Sequence, residues 1–176
     1  MTARLVYLMR GLPSCGKSWT ARQLAGSDGV VLETDRYFHT EVGDDPTQYD
    51  FNDELLPTAR DWIFAQFVES IRAERSPIVL DRGNGRNEET RRFAAYAVAN
   101  DYVVQLREPD SPWWQELSVL LKYRQFLDPQ VLDTWAQRLS TKSRSTHRVP
   151  TVTIRRWMNS WKSDLSVDDI LGRTSQ

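Results

Sequence analysis

One run of eight residues constrains this chain more than any other: Gly11-Leu12-Pro13-Ser14-Cys15-Gly16-Lys17-Ser18. Before it lies Arg4-Leu5-Val6-Tyr7-Leu8-Met9, which reads as a buried strand, and after it Trp19 to Ala25 reads as a helix. Glycine, four variable residues and Gly-Lys-Ser, set between a strand and a helix, make the phosphate-loop pattern. The reason is close backbone approach. Gly11 and Gly16 have no Cβ, so the main chain can wrap an anion without steric cost. The loop amides then face the anion, and the following helix adds the partial positive charge of its N-terminus. The nucleotide-binding set expected here is Gly11, Pro13, Ser14, Cys15, Gly16, Lys17 and Ser18, with Lys17 reaching the β- and γ-phosphates and Ser18 a ligand of Mg²⁺.

A length of 176 residues suits one domain, 1–176, with a core large enough to need no covalent staples. The single cysteine, Cys15, excludes an internal disulfide and suits a reducing compartment. A formal net charge of -1 argues against a whole-molecule polyanion binder. No run resembles a signal peptide or a bilayer span, so a soluble cytoplasmic protein is expected. Most of the seven tryptophans are expected in core or lid packing rather than in a cofactor box.

Further along, Val30-Val31-Leu32-Glu33, Pro77-Ile78-Val79-Leu80-Asp81 and Tyr102-Val103-Val104-Gln105-Leu106 read as strands bounded by turn residues. Leu55 to Glu74 carries Leu56, Ala59, Ile63, Phe67 and Ile71 at helical spacing. Asn87 to Asn100 reads as a helix capped by Asn87, and residues 39 to 54 as a long polar loop. Pro112 to Phe126, Pro129 to Leu139 and Pro150 to Trp161 read as helices opened by proline. Strands alternating with helices predict an α/β fold, a P-loop NTPase three-layer sandwich. Its four-stranded parallel sheet carries helices on both faces, with a C-terminal helical lid region. Ligands of such sheets bind beyond the strand carboxyl ends. The phosphate loop, Asp35, Asp81 and Asn84 all follow strands.

Asp35, just past the second strand, is placed to take the proton of an attacking hydroxyl; the alternative is a cap for the turn Arg36-Tyr37-Phe38. Asp81 ends an apolar run, either to hold a Mg²⁺-bound water and the loop hydroxyl or to bond local N–H groups. Asp81 and Asn84 are expected on the acceptor side, the alternative for Asn84 being a turn residue chosen for its backbone. From Thr134 to Ser163 there is no carboxylate, while Arg138, Lys142, Arg144, Arg148, Arg155, Arg156 and Lys162 are present, with His147. That window is either a solvated basic face or a phosphate-facing lid, flexible over Thr141 to Arg148. Arg144 is the first candidate to supply transition-state charge and Arg148 the second, Arg148 also being expected to bind the nucleotide. Opposing it, Glu41 to Glu54 carries Glu41, Asp44, Asp45, Asp50, Asp53 and Glu54 with no Lys or Arg. Such a wall disfavours a long nucleic-acid chain and tolerates a small or cationic acceptor.

Taken in order, these segments resemble the small P-loop kinases of the polynucleotide-kinase group, and within it the Nedd4-binding-protein-2 type of kinase-like domain. The matching stretches are Gly11 to Ser18, Thr34-Asp35-Arg36-Tyr37-Phe38, Ile78-Val79-Leu80-Asp81-Arg82-Gly83-Asn84 and Glu108-Pro109-Asp110-Ser111-Pro112-Trp113-Trp114. Leu139 to Pro150 with Ile154-Arg155-Arg156-Trp157 is similar to that family's arginine-bearing lid and following helix. The resemblance implies transfer of the γ-phosphate of ATP, with Mg²⁺, to a hydroxyl, with Lys17, Asp35 and Arg144 in the catalytic roles. The implied acceptor is a polynucleotide 5′-hydroxyl. The alternatives are a small-molecule hydroxyl (nucleoside, antibiotic or sugar nucleotide) and a non-catalytic ATP-binding or ATPase module. Relative to the family, Trp19 stands where threonine is frequent, Phe38 where a nucleic-acid 5′-kinase has an arginine, and about 115–138 is a helical insertion ahead of a basic lid at about 139–150. Lys17→Ala is expected to keep the fold and lose turnover, and bound ATP to slow thiol labelling of Cys15.

Overall fold

The computed structural model describes residues 3–42, 49–83, 88–144 and 148–173. Asn84, the expected cap Asn87, Asp44, Asp45 and His147 lie outside them. The described chain forms strands β1 (Leu5–Met9), β2 (Val30–Glu33), β3 (Ile78–Asp81) and β4 (Val103–Arg107). The helices are α1 (Lys17–Ala25), α2 (Tyr37–Thr40), α3 (Leu56–Arg72), α4 (Glu88–Ala99), α5 (Pro112–Lys122), α6 (Pro129–Ser143), α7 (Thr151–Asn159) and α8 (Val167–Leu171).

The strands make one parallel sheet in the order β2-β3-β1-β4. Side chains alternate across it. Val6, Leu8, Leu32, Ile78 and Leu80 face α3 and α4, where they meet Ile63, Phe67, Phe93 and Ala97. Met9, Val79 and the half-buried Tyr7 and Val31 face α1 through Ala21 and Ala25. The sheet is therefore covered on both faces, as its apolar strands require. α3 buries Ala59, Ile63, Phe67 and Ile71, the positions its spacing predicts. Phe67 is fully buried against Phe93, with ring centroids 5.1 Å apart, and a side chain so placed contributes about 2–3 kcal/mol. β1 is followed by a helix on one face, while the crossover from β3 to β4 uses the other. That leaves a crevice at the carboxyl end of β1.

A second core lies outside the sheet. α5, α6 and α7 bury Trp114, Leu117, Leu121, Leu132, Trp135, Leu139, Ile154, Met158 and Trp161 together. Ser111 caps α5 by accepting from the Trp114 N–H, and Asp128 caps α6 by accepting from the Gln130 N–H, each with proline following. Two phosphate-loop residues, Leu12 and Cys15, belong to this helical core. The loop is thus the seam between the two cores.

Two expectations are corrected. α6 does not stop at Leu139 but runs to Ser143, so the supposed flexible stretch Thr141–Arg148 begins as helix, over Thr141 to Ser143. The cause is tertiary. Ser143 is buried, its hydroxyl donates to the Ser140 carbonyl and accepts from the Val149 N–H at 3.0 Å, and the Ser140 hydroxyl donates to the Val149 carbonyl at 2.8 Å. The polar stretch from 39 begins instead as the end of α2 and closes with a turn at Asp53–Leu55.

Candidate active site

The phosphate loop is built from backbone conformations that few residues tolerate. Gly11 (φ 153°), Ser14 (φ 59°) and Gly16 (φ 95°) all have positive φ. A Cβ on Gly11 would stand 2.7 Å from Cys15 Sγ, so that position excludes any side chain. Gly16 precedes α1 without a side-chain cap, leaving the first amides of the helix directed out of its end. Lys17 Nζ donates to the carbonyls of Gly11 (3.1 Å) and Leu12 (2.9 Å), which holds the ammonium over the loop. Ser18 is half-buried in the first turn.

Behind the loop, the segment after β4 acts as a strap. Ser111 Oγ donates to the Cys15 carbonyl at 2.7 Å, Trp113 Nε1 to the Ser14 carbonyl at 3.2 Å, and the Asp110 N–H to Thr20 Oγ1 at 3.1 Å. Lys142 Nζ sits 4.2 Å from the Trp113 ring centroid, a cation–π contact. Lys142 thus brings a cation of the basic stretch onto the strap behind the loop. Arg144 is exposed at the end of α6, and Arg148 is exposed with φ 49°. Arg155, counted in the basic window, bonds Asp133, one residue outside that window, at 2.6 Å. It belongs to a surface pair rather than to an open phosphate-facing surface.

Cys15 is completely buried, its thiol donating to the Leu12 carbonyl at 2.6 Å, and burial pushes the thiol above its usual range. Such burial predicts slow thiol labelling even without nucleotide, which leaves little rate for ATP to lower. Its contribution to the loop is its main chain.

Across the crevice, the carboxyl ends of β2 and β3 bring three carboxylates together. Glu33 and Asp81 are register partners, so they project to the same face of the sheet, the one α1 covers. Burial raises the Glu33 carboxyl above its ordinary range; the charges of Asp81 and Asp35 add to that, against Arg22 and Arg36. Asp81 is buried at the end of β3, the strand paired with β1, and its charge also raises the Cys15 thiol. Asp35 lies in a single turn, Thr34–Arg36, directly after β2. Tyr49 donates its hydroxyl to Asp35. Burial foremost, and then the charge and hydrogen bond of Asp35, push the phenol far above its usual value. Tyr49 and Glu33 are site residues that sequence reasoning did not single out. Tyr49 lies in a stretch without periodicity; Glu33 was read only as the end of a strand, although its place beside a strand-end aspartate was a usable signal.

The donor set tests a divalent cation. Ser18 and Asp81 offer hard oxygen, and among the described residues no three His, Cys, Asp or Glu side chains gather into a metal cage. Mg²⁺ suits such a place, since it keeps several waters and takes one or two protein oxygens beside phosphate.

The AAA domain family model matches residues 6–118, which includes the sheet but for Leu5, the phosphate loop and the strap. The chain is also 35% identical over 113 residues, 63% of its length, to human NEDD4-binding protein 2. It spans only 6% of that relative. No described helix is long and apolar enough to cross a membrane. With its glycine-formed loop, four-stranded parallel sheet and this match, the chain belongs to the AAA domain family, in its P-loop kinase-like branch.

Proposed function

We propose that this domain moves the γ-phosphate of ATP to a hydroxyl acceptor. The observation that carries the reading is that the loop at residues 11–18, Asp35, Asp81 and Glu33 all lie at the carboxyl ends of the parallel strands β1, β2 and β3. The loop amides bind the phosphates and Lys17 neutralises their charge. Ser18 and Asp81 would hold Mg²⁺, which would neutralise charge on the nucleotide's phosphates. Asp35, oriented by Tyr49, takes the proton as the acceptor oxygen attacks the γ-phosphorus and ADP leaves. Arg144 is the proposed source of transition-state charge from the basic lid, with Arg148 beside the nucleotide; Asn84, on the acceptor side, completes the proposal from sequence alone.

The resemblance makes a polynucleotide 5′-hydroxyl the first acceptor to test. A small-molecule hydroxyl is the second reading, favoured by Glu41, Asp50, Asp53 and Glu54 on the stretch after Asp35. The deciding experiment is Asp35→Asn: ATP binds as in wild type and acceptor-dependent ADP release is lost. Unchanged turnover removes Asp35 as base. ADP release that no acceptor stimulates in wild type makes the domain an ATP-binding or ATPase module instead.

A further inference from the structure

We propose that the acceptor is a neutral nucleoside, held by stacking on the aromatic rings beside Asp35; this rests on the phosphotransfer reading and chooses within it. The residue that orients Asp35, Tyr49, belongs to a ring cluster. Tyr49 and Phe51 lie nearly parallel, 22° apart with centroids 6.1 Å distant. Both rest on Phe38, at 6.0 and 5.0 Å, and Phe38 is completely buried. His39 stacks obliquely on Tyr49 at 5.1 Å. Phe51, by contrast, is 51% exposed. A rigid base of rings therefore presents one aromatic surface to solvent on the segment that touches the proposed base.

Stacking accepts any flat heteroaromatic ring, because every nucleobase has a π-face. Charge then selects against phosphates. From residue 37 to 59 the chain has no Lys or Arg, and its described carboxylates are Glu41, Asp50, Asp53 and Glu54; Arg36 and Arg60 stand only at the two ends. A polynucleotide needs cations along its track, and this track repels it. A nucleoside brings the flat ring and the primary hydroxyl without the phosphates. In the reaction, the hydroxyl oxygen bonds the γ-phosphorus, the bond to the bridging oxygen of ADP breaks, and the hydroxyl proton goes to Asp35.

The test is steady-state ADP release from MgATP with the common nucleosides, compared with a 5′-hydroxyl DNA oligonucleotide. The expected result is stimulation by at least one nucleoside, with kcat/KM for the oligonucleotide lower by about tenfold or more. Phe51→Leu keeps the apolar packing and removes the ring; it raises KM for the nucleoside by about tenfold while kcat changes little. Preference for the oligonucleotide, or an unchanged nucleoside KM in Phe51→Leu, overturns the stacking site and leaves phosphotransfer standing. Release stimulated only by other hydroxyl compounds does the same. Release that no acceptor stimulates, with Asp35→Asn as active as wild type, brings down the kinase reading itself.

Discussion

Asp35 has a tyrosine as its partner, and the consequence is measurable. Tyr49→Phe keeps the ring cluster and removes the hydroxyl that Asp35 accepts. We expect kcat for phosphate transfer to fall about tenfold, the scale of one hydrogen bond to a charged group, with KM for ATP unchanged. Steady-state kinetics at saturating acceptor checks it. Glu33 gives a prediction in stability. Its carboxyl is raised in the folded protein, by burial first. The native state therefore binds that proton more tightly than the unfolded chain, and stability is lost as pH rises from about 4 through the raised native value. Glu33→Gln removes that loss. Its melting temperature should equal that of wild type near pH 4 and exceed it at pH 8; a variant less stable at pH 8 contradicts the sign. The positions of Asp35 and Asp81 at the ends of β2 and β3 were legible because apolar runs mark those strands. Tyr49 was not, because its role comes from folding back onto Asp35, which no local spacing records.

At the level of elements, the strap after β4 and the end of β1 hold the loop in shape. Ser111 has two tasks, capping α5 and donating to the Cys15 carbonyl. Ser111→Ala should cost about 1–2 kcal/mol in denaturant unfolding and raise KM for ATP, since the loop loses a fixed point. Arg10, buried at the end of β1, pairs with Glu108 at 3.2 Å, donates to the Lys162 carbonyl and lies 4.2 Å from the Trp161 ring centroid. Glu108 accepts from Trp114 Nε1 at 3.0 Å. This pair ties the sheet to the helical core. Arg10→Met leaves that network unpaired and should cost about 3 kcal/mol, lowering the melting temperature by roughly 10 °C. The four strands and the long helix α3 were legible in apolar runs and spacing. The last turn of α6 was not, because Ser140 and Ser143 reach across to Val149 to extend it.

The whole molecule is two cores joined at a phosphate loop: Leu12 and Cys15 belong to the helical core, while β1 runs into the loop from the sheet. Occupying the loop therefore acts on both halves, and a ligand bound only by the folded state raises stability with its concentration. The most direct test of the central claim is calorimetric titration of MgATP into wild type and Lys17→Ala. The account predicts one site per wild-type chain and affinity weaker by about tenfold or more in the variant, whose unliganded melting temperature stays within a few degrees of wild type. Equal affinity in the two proteins, or no binding by wild type, contradicts it.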